Sequence, residues 1–255
     1  MTSIIFPQWP APAQVRAAIT TRVGGYSVGC WQSFNLATHV GDDAGHVQAN
    51  RRKLETLLKL KISPLWLNQV HGNSVVCAAN PHGLSVPTAD GSYSCQQGIP
   101  CVVLTADCLP VLLCDKAGTV VAAAHAGWRG LANGILGNTV ASMEVPAAEL
   151  MAYLGPAISQ DAFEVGAEVR QAFLDRARDG GHRQNIGGCF REAGVVGKFF
   201  ADLYGLARAE LNALGVSAVY GGDRCSYGES AVFYSFRRDG VTGRMASLIW
   251  LDSNR

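Results

Sequence analysis

Apolar residues recur along this chain with two different spacings, and each spacing predicts one kind of element. A stripe of Val and Leu residues with helical spacing predicts a helix over residues 43–61. Comparable stripes predict helices near residues 131–144, 164–178 and 197–214. Short apolar runs between turn residues predict strands. These strands cover residues 65–70, 74–79, 101–106, 110–115, 118–125, 149–154, 216–221, 230–236 and 244–251.

The order of these elements mixes hairpins with helical crossovers, which favours mixed sheets over a purely parallel, doubly wound fold. A chain of 255 residues can bury a substantial core, and no break in composition divides it. We therefore predict one domain over residues 1–255, of the α/β class with mixed α+β character. The glycine-rich segment 180–188 is predicted to be an exposed connection.

One predicted hairpin brings Cys108 and His125 together. Apolar runs at 101–104 and 110–114 flank Cys108, and turn residues at 115–118 lead into the apolar run that ends at His125. If the strands pair about this turn, both residues lie near the same end of the hairpin.

His71, which follows Asn68-Gln69-Val70, is a third potential metal ligand. Two imidazoles and one thiolate would hold zinc with its fourth position open, as in catalytic rather than structural sites. Such an ion could acidify water or polarise a substrate. The spacing matches no zinc finger, so separate structural roles are the alternative reading. Asp107 is a candidate acid or base, and a turn-forming aspartate is the alternative.

An ordered series of motifs resembles the YfiH-type, laccase-domain family. It runs through Thr21-Arg22-x-Gly24-Gly25-x-Ser27, Asn35-Leu36, His39-Val40-Gly41-Asp42-Asp43, Asn50-Arg51, Gln69-Val70-His71-Gly72, Thr105-Ala106-Asp107-Cys108-x-Pro110 and His125-Ala126-Gly127-Trp128-Arg129-Gly130. It continues through Leu154-Gly155-Pro156-Ala157-Ile158, Phe163-Glu164-Val165, Asp202-Leu203, Arg237-Arg238 and Gly243-Arg244-Met245. The combination covers almost the whole chain and is more specific than any isolated motif. One mild departure is Ser226 after Cys225, where many relatives carry threonine.

The resemblance implies a layered α/β/β/α architecture and a zinc site at His71, Cys108 and His125. It also implies phosphorolysis of adenosine, inosine or methylthioadenosine, together with adenosine deamination. Members of the family have further been linked to peptidoglycan-precursor editing and to copper-dependent oxidation of phenols. We therefore predict a zinc-dependent purine nucleoside enzyme that uses phosphate, with His71, Asp107, Cys108 and His125 as its catalytic residues.

Five polar residues are candidates for substrate binding. Arg22, Arg51 and Arg129 carry planar cationic groups that suit phosphate, and surface ion pairs are the alternative. Asn35 and His39 can contribute polar contacts if their loop folds over the site, and turn formation is the alternative.

Other functions use the same residues differently. A cysteine hydrolase would use Cys108 as nucleophile with His71 or His125 as base. Polyphenol oxidation is disfavoured, because six histidines without a His-x-His pair do not suit a multinuclear copper centre, although the proposed ligands accept copper as well as zinc. A zinc-stabilised binding protein would close the site with a fourth ligand such as Cys225.

Global properties exclude several other classes. A net charge of +1 does not indicate the basic surface that nucleic-acid binding requires. The chain has neither a P-loop nor a strand-linked GxGxxG motif, so the sequence does not support dependence on ATP or NAD. No apolar run is long enough to cross a bilayer, and residues 1–10 lack the features of a secretory leader, so we expect a cytoplasmic protein without membrane partners. The eight cysteines are expected to be mostly reduced. Nothing in the sequence selects an oligomeric state.

Overall fold

The computed structural model describes residues 3–78 and 85–252. The strands are β1 (Ile4–Ile5), β2 (Val15–Thr20), β3 (Val75–Cys77), β4 (Gly91–Ser94), β5 (Cys101–Thr105), β6 (Leu109–Asp115), β7 (Val121–Ala126), β8 (Leu150–Leu154), β9 (Glu164–Gly166), β10 (Phe190–Glu192), β11 (Lys198–Ala201), β12 (Ala218–Gly221) and β13 (Met245–Leu251). The α-helices are α1 (Ala44–Leu58), α2 (Trp128–Ala132), α3 (Ile135–Ser142), α4 (Ala167–Leu174), α5 (Gly180–Gly188), α6 (Leu203–Ala213) and α7 (Phe236–Asp239).

Two large sheets and one small sheet organise the strands. The six-stranded sheet has the order β12-β8-β6-β7-β4-β3, with parallel pairs at both edges and antiparallel pairs between them. The four-stranded sheet, β1-β2-β13-β5, is antiparallel throughout, as is the small sheet β10-β11-β9. The prediction of mixed sheets is confirmed.

Successive residues of a strand point to opposite sides of its sheet. The two faces of each large sheet therefore contribute to different apolar clusters. Leu112 of β6 and Val103 of β5 share a cluster, so the two large sheets pack face to face. The other face of the six-stranded sheet packs against α3 and α6, and the other face of the four-stranded sheet packs against α1. The layers are therefore helix, sheet, sheet and helix, which confirms the expected α/β/β/α architecture.

The hairpin of β6 and β7 forms as predicted. Pro110 lies opposite His125, and the turn beyond Asp115 is closed by the Asp115 carboxylate, which accepts hydrogen bonds from the backbone N–H groups of Thr119 and Val120. Cys108 stands immediately before β6 and therefore at the same end of the hairpin as His125.

Several predicted elements begin or end elsewhere. The helix predicted at 131–144 is two helices, because Gly134 takes a left-handed conformation with φ of 86° between them. The first residues of the helices predicted at 164–178 and 197–214 are instead the strands β9 and β11. The stretch 230–236 is turn and loop that leads into α7 rather than a strand.

Two further differences concern short segments. Residues 65–70 contribute isolated bridges at Leu65 and Asn68 instead of a continuous strand. The predicted connection 180–188 is the helix α5, whose first turn is capped by the Asp179 carboxylate accepting from the backbone N–H of His182. The predicted strand 74–79 is β3 in its central residues, and residue 79 lies outside the described residues. Within the described ranges, no helix combines the length and apolarity that a membrane span requires.

Candidate metal centre and its cavity

Three predicted ligands meet at one point of the fold. His71 lies in the loop before β3, Cys108 immediately precedes β6, and His125 lies in β7. Their potential ligand atoms are all within 4.8 Å of one another, and His71 Nε2 is 3.8 Å from Cys108 Sγ. The geometry therefore brings the two imidazoles and the thiol close enough to share one metal ion.

Unusual backbone conformations help to bring the three ligand side chains together. His71 and Asp107 have φ values of 59° and 89°, a region that residues other than glycine rarely adopt. Gly127 follows the strand that carries His125, and a Cβ at that position would lie 2.8 Å from Cys108 Sγ and 3.3 Å from His71 Cδ2. The site thus needs a residue without a side chain at position 127.

Asp90 ties two of the ligands together. Its carboxylate is fully buried and accepts hydrogen bonds from the backbone N–H groups of Val70, His71 and Gly72. The same carboxylate lies 2.7 Å from His125 Nδ1, so Nδ1–H donates to it and Nε2 is left as the ligand atom. Sequence reasoning missed Asp90, because a single aspartate before a short strand resembles an ordinary turn residue.

The charges within the cluster stabilise one another. Burial raises the pKa of the Cys108 thiol, but the neighbouring His125 and His71 rings lower it by more, so the net shift is downward. Burial lowers the pKa of His125, and the Cys108 and Asp90 groups raise it by more. The environment thus favours a thiolate, which is the form of cysteine that binds metal.

The donor set fits a divalent metal ion. Two imidazole nitrogens and one sulfur are ligands that zinc prefers, and three protein ligands leave a coordination position for water or substrate. Copper accepts the same donor types. Among the described residues, His71, Cys108 and His125 form the one cluster of three or more side chains that could hold a metal ion.

A cavity of about 220 Å³ opens beside the cluster. It is lined by His39, Gln69, His71, Leu104, Thr105, Ala106, Cys108, His125, Phe236 and Arg244. The Gln69 amide fixes one wall, because it accepts from the N–H of Leu104 and donates to the carbonyl of Leu104. Phe236, which is 57% exposed, offers an aromatic face at this cavity.

Arg244 supplies the cation of the cavity wall. Its Nη1 donates to the carbonyls of Thr242 and Gly243, which orients the guanidinium, and burial lowers its pKa. Gln69 and Arg244 both occur in the motifs that carry the family resemblance, so the sequence marked these two positions without indicating that they line the cavity. Phe236 lies outside those motifs, and nothing in the sequence marked it.

Of the five predicted substrate contacts, His39 is the one that lines this cavity. Arg22 donates to the carbonyls of Gln32 and Ser230 and lines a separate surface depression. The amide of Asn35 is buried and holds its own loop through Ala37 and Asp42.

The other two predicted arginines also have structural contacts. Arg51 donates to the carbonyl of Leu36 and stacks on Trp66, with 3.8 Å between its guanidinium carbon and the ring centre. Arg129 is exposed and lies over Trp128. Neither lines the cavity beside the metal cluster, so their contact with substrate stays a prediction.

Asp107 and Cys225 also have partners outside the cluster. Asp107 accepts hydrogen bonds from Ser226 Oγ at 2.7 Å and from the backbone N–H of Arg237 at 2.6 Å, so one carboxylate oxygen contacts the loop at Ser226 and the other the first turn of α7. Cys225 donates to Ser159 Oγ at 3.0 Å and is not a member of the cluster, so the geometry gives no support to its role as a fourth ligand.

Known proteins resemble this chain over almost its whole length. A purine nucleoside phosphorylase from Pseudomonas aeruginosa is 51% identical over 98% of this chain and 99% of its own. The purine nucleoside phosphorylase YfiH of Escherichia coli K12 is 48% identical over 98% of this chain and all of its own. The crystal structure of a DUF152 protein from Neisseria meningitidis superposes with a TM-score of 0.93 at 52% identity, covering 99% of this chain and 100% of that one.

A more distant structure shares the same architecture. YlmD from Geobacillus stearothermophilus has a TM-score of 0.87 and 31% identity, covering 98% of this chain and 100% of its own. The model of the family described as multi-copper polyphenol oxidoreductase laccase matches residues 16–252. With the motifs, the layered fold and the histidine–cysteine–histidine cluster in agreement, this chain belongs to that laccase-like family, which includes the YfiH and DUF152 proteins.

Proposed function

We propose that this chain is a zinc-dependent purine nucleoside phosphorylase. It would convert adenosine, inosine or methylthioadenosine and phosphate into the free base and ribose 1-phosphate, or the methylthio analogue of that sugar phosphate. Adenosine deamination is proposed as a second activity of the same site. The observation that carries the proposal is the cluster of His71, Cys108 and His125 beside a cavity that also contains Arg244. The names of the full-length relatives support the phosphorylase assignment.

Phosphorolysis sets clear requirements for the site. A phosphate oxygen forms a bond to the anomeric carbon of the sugar, and the bond from that carbon to the purine nitrogen breaks. Its electron pair leaves with the purine, which then takes up a proton. A divalent ion held by His71, Cys108 and His125 would supply Lewis acidity at this end of the cavity.

The cavity residues can meet the remaining requirements. The Arg244 guanidinium offers a charged donor group for phosphate. Burial, and then the Arg244 and Arg51 cations, lower the pKa of His39, which favours the neutral ring. The N–H of that ring can donate a hydrogen bond to the departing purine, which takes its proton from water. The exposed ring of Phe236 can cover a purine face.

Deamination uses a different nucleophile in the same cavity. Water adds to the purine carbon that carries the amino group, that group leaves as ammonia, and adenosine becomes inosine. The neutral ring of His39 can accept the proton that the attacking water loses and pass it to the leaving amino group. Asp107 is the less suitable acid or base, because both of its carboxylate oxygens accept hydrogen bonds from the protein.

The direct test is product analysis with protein of known zinc content. Adenosine is incubated with and without phosphate, using the wild-type protein, Cys108→Ala and the matched control Cys225→Ala, whose thiol lies outside the cluster. Phosphate-dependent adenine that is lost in Cys108→Ala and kept in Cys225→Ala supports phosphorolysis. Phosphate-independent inosine with the same dependence on Cys108 supports deamination. Absence of both products at full zinc occupancy would refute the adenosine assignment and favour peptidoglycan-precursor editing or metal-stabilised binding.

One alternative has its own geometric support. The Asp90 carboxylate contacts the His125 imidazole, which in turn lies beside the Cys108 thiol. A carboxylate, an imidazole and a thiol in this arrangement suit a cysteine hydrolase. Full activity of a metal-free protein, with a covalent adduct at Cys108, would support this alternative over the zinc enzyme.

Copper oxidation of phenols has weaker support. The described residues hold one candidate cluster, so such chemistry would have to use a single ion rather than several. A cytoplasmic location is proposed as well, since the eight cysteines are free thiols, as is usual in a reducing compartment.

A further inference from the structure

A second cavity, of about 230 Å³, lies among the helices that cover the six-stranded sheet. Its walls come from α2, the turn after α2, α4 with the residues that follow it, α5 and α6. The lining residues are Leu131, Ala132, Gly134, Phe173, Arg176, Arg178, His182, Ile186, Leu206 and Glu210. None of them lines the cavity beside the metal cluster.

His182 is a buried polar group on this cavity without a full set of partners. The residue is 5% exposed, and its Nδ1 accepts a hydrogen bond from the backbone N–H of Arg178. The neutral ring therefore carries its proton on Nε2. Nε2 has no hydrogen-bond partner in the described part of the chain, although Glu210 Oε2 lies 3.5 Å away. Buried polar atoms are rarely left unpaired, so this atom offers a hydrogen bond that an ordered water or a ligand can accept.

The charged groups around the cavity favour an anion. Arg178 Nη2 donates to Glu210 Oε1 at 2.5 Å, so the negative charge of Glu210 is already offset. Arg176 lines the cavity and is exposed, and its side chain makes no hydrogen bond or ion pair within residues 3–78 and 85–252. Arg176 and the Nε2–H of His182 are therefore two donors on one cavity that make no hydrogen bond with the described residues, although Glu210 Oε2 lies within ion-pair distance of the second.

The remaining walls are apolar and define the size of the ligand. Leu131, Phe173, Ile186 and Leu206 supply aliphatic and aromatic surface. An apolar protein cavity of roughly 150 Å³ takes up benzene. The space here is therefore sufficient for a single ring with a short substituent.

We propose that this cavity is a second ligand site, which binds a small organic acid with an apolar body of about one ring. The carboxylate meets the Arg176 guanidinium and the Nε2–H of His182, and the body packs on Phe173 and its aliphatic neighbours. The site is independent of the metal cluster and of the activity proposed there.

The experiment compares phenylacetate with phenylacetamide, which has the same body without the charge. Each is titrated into the zinc-loaded wild-type protein and followed through the histidine ring signals in NMR spectra. We expect saturable binding of phenylacetate with the largest shift at His182, and weaker binding of phenylacetamide. Arg176→Gln should weaken phenylacetate by about fivefold. Its matched control, Arg170→Gln on α4, should not change the affinity.

Other outcomes would overturn the proposal. Equal affinity for phenylacetate and phenylacetamide would show that the site does not recognise a negative charge. Unchanged affinity in Arg176→Gln would show that Arg176 does not bind the carboxylate. Lack of saturable binding would mean that the cavity holds only water. A carboxylate could also bind zinc, so the titration is repeated with Cys108→Ala, which should bind phenylacetate as the wild-type protein does. Loss of binding in that variant would move the ligand to the metal centre.

Discussion

At the residue scale, Asp90 connects two ligands of the candidate metal centre. It is not a ligand, yet its carboxylate fixes the backbone around His71 and the ring of His125. It is therefore a positioning residue, and its effect on the metal is exerted through two ligands at once. Removal of such a partner usually costs more than a surface hydrogen bond, because the ligands lose orientation and basicity together.

Asp90→Asn should lower zinc affinity by about 10- to 100-fold, because the amide cannot accept all the hydrogen bonds that the carboxylate accepts. Competition with a chromophoric chelator measures this change. The matched control is Asp115→Asn, since Asp115 is also buried and accepts backbone N–H groups but closes the turn of the β6–β7 hairpin. If both variants lose zinc equally, general destabilisation and not positioning explains the effect.

Asp90 should also contribute to stability in a pH-dependent way. Burial raises the pKa of its carboxyl group, but hydrogen bonds from His125 and the 70–72 backbone lower it by more, to below the ordinary 3.8. A lowered folded-state pKa means that the contribution is present above pH 3.8 and is lost as pH falls through the folded pKa. In thermal melts of the metal-free proteins, the gap between wild type and Asp90→Asn should shrink below that pH. A gap that widens on acidification would contradict this assignment.

Arg244 is the residue on which the proposed phosphate contact depends. Arg244→Gln should raise the KM for phosphate by about tenfold or more, since a hydrogen bond to a charged group is lost, while the zinc content stays the same. Arg22→Gln is the informative comparison, because Arg22 was predicted from the sequence to bind phosphate but lines a different depression. A larger increase in the KM for phosphate in Arg22→Gln than in Arg244→Gln would show that phosphate binds at Arg22, as the sequence predicted.

At the element scale, the turn from β7 into α2 controls how closely the ligands approach. The strand ends at Ala126, the helix begins at Trp128, and Gly127 between them lies against Cys108 and His71. The cluster therefore depends on the path of this turn as well as on the ligands themselves.

Gly127→Ala should weaken zinc binding and activity, because its Cβ would lie 2.8 Å from Cys108 Sγ and push the thiol aside. Zinc content and turnover measure the effect. Gly187→Ala is the matched control, since nothing lies within 4 Å of a Cβ there and position 187 is inside α5. That control should keep its zinc and gain up to about 1 kcal/mol of stability. Normal zinc affinity in Gly127→Ala would show that the turn adapts.

Sequence patterns succeeded where an element is long and bounded by turns. The β6–β7 hairpin combines continuous apolar runs with a clear turn, so the meeting of Cys108 and His125 was predictable. The strands β9 and β11 were missed because each is short and runs directly into a helix. Asp90 and the structural contacts of Arg22 depend on tertiary packing, and a sequence does not distinguish an arginine that holds backbone carbonyls from one that binds phosphate.

At the scale of the whole molecule, apolar packing between the sheets and helices holds the fold together, and the metal ligands lie at one end of the β6–β7 hairpin within it. The apolar clusters that join the sheets and helices do not include His71, Cys108 or His125. Asp90 keeps the ligand loop in place through its own hydrogen bonds. The protein should therefore fold before it binds zinc, unlike small domains whose folding requires the metal.

Removal of zinc should abolish purine turnover and leave the far-UV circular dichroism unchanged. The melting temperature should fall by about 5–15 °C relative to protein with zinc at about 100- to 1,000-fold excess over its Kd, because zinc binds only the folded state. Added zinc should restore activity without a refolding phase. Cys108→Ala serves as the reference, since its melting temperature should not respond to zinc. Collapse of the dichroism signal on chelation would contradict a preformed site.

The strand order of the four-stranded sheet has a consequence for synthesis. β13 lies between β2 and β5, yet it is translated long after both of them. Until it emerges from the ribosome, the apolar edges of β2 and β5 have no strand between them, and such edges invite association with other chains. β5 continues into the Thr105–Ala106 wall of the metal cavity. Thr105 in this wall gains its pairing with Met245 only when β13 arrives, so we expect metal loading to follow the pairing of these two strands.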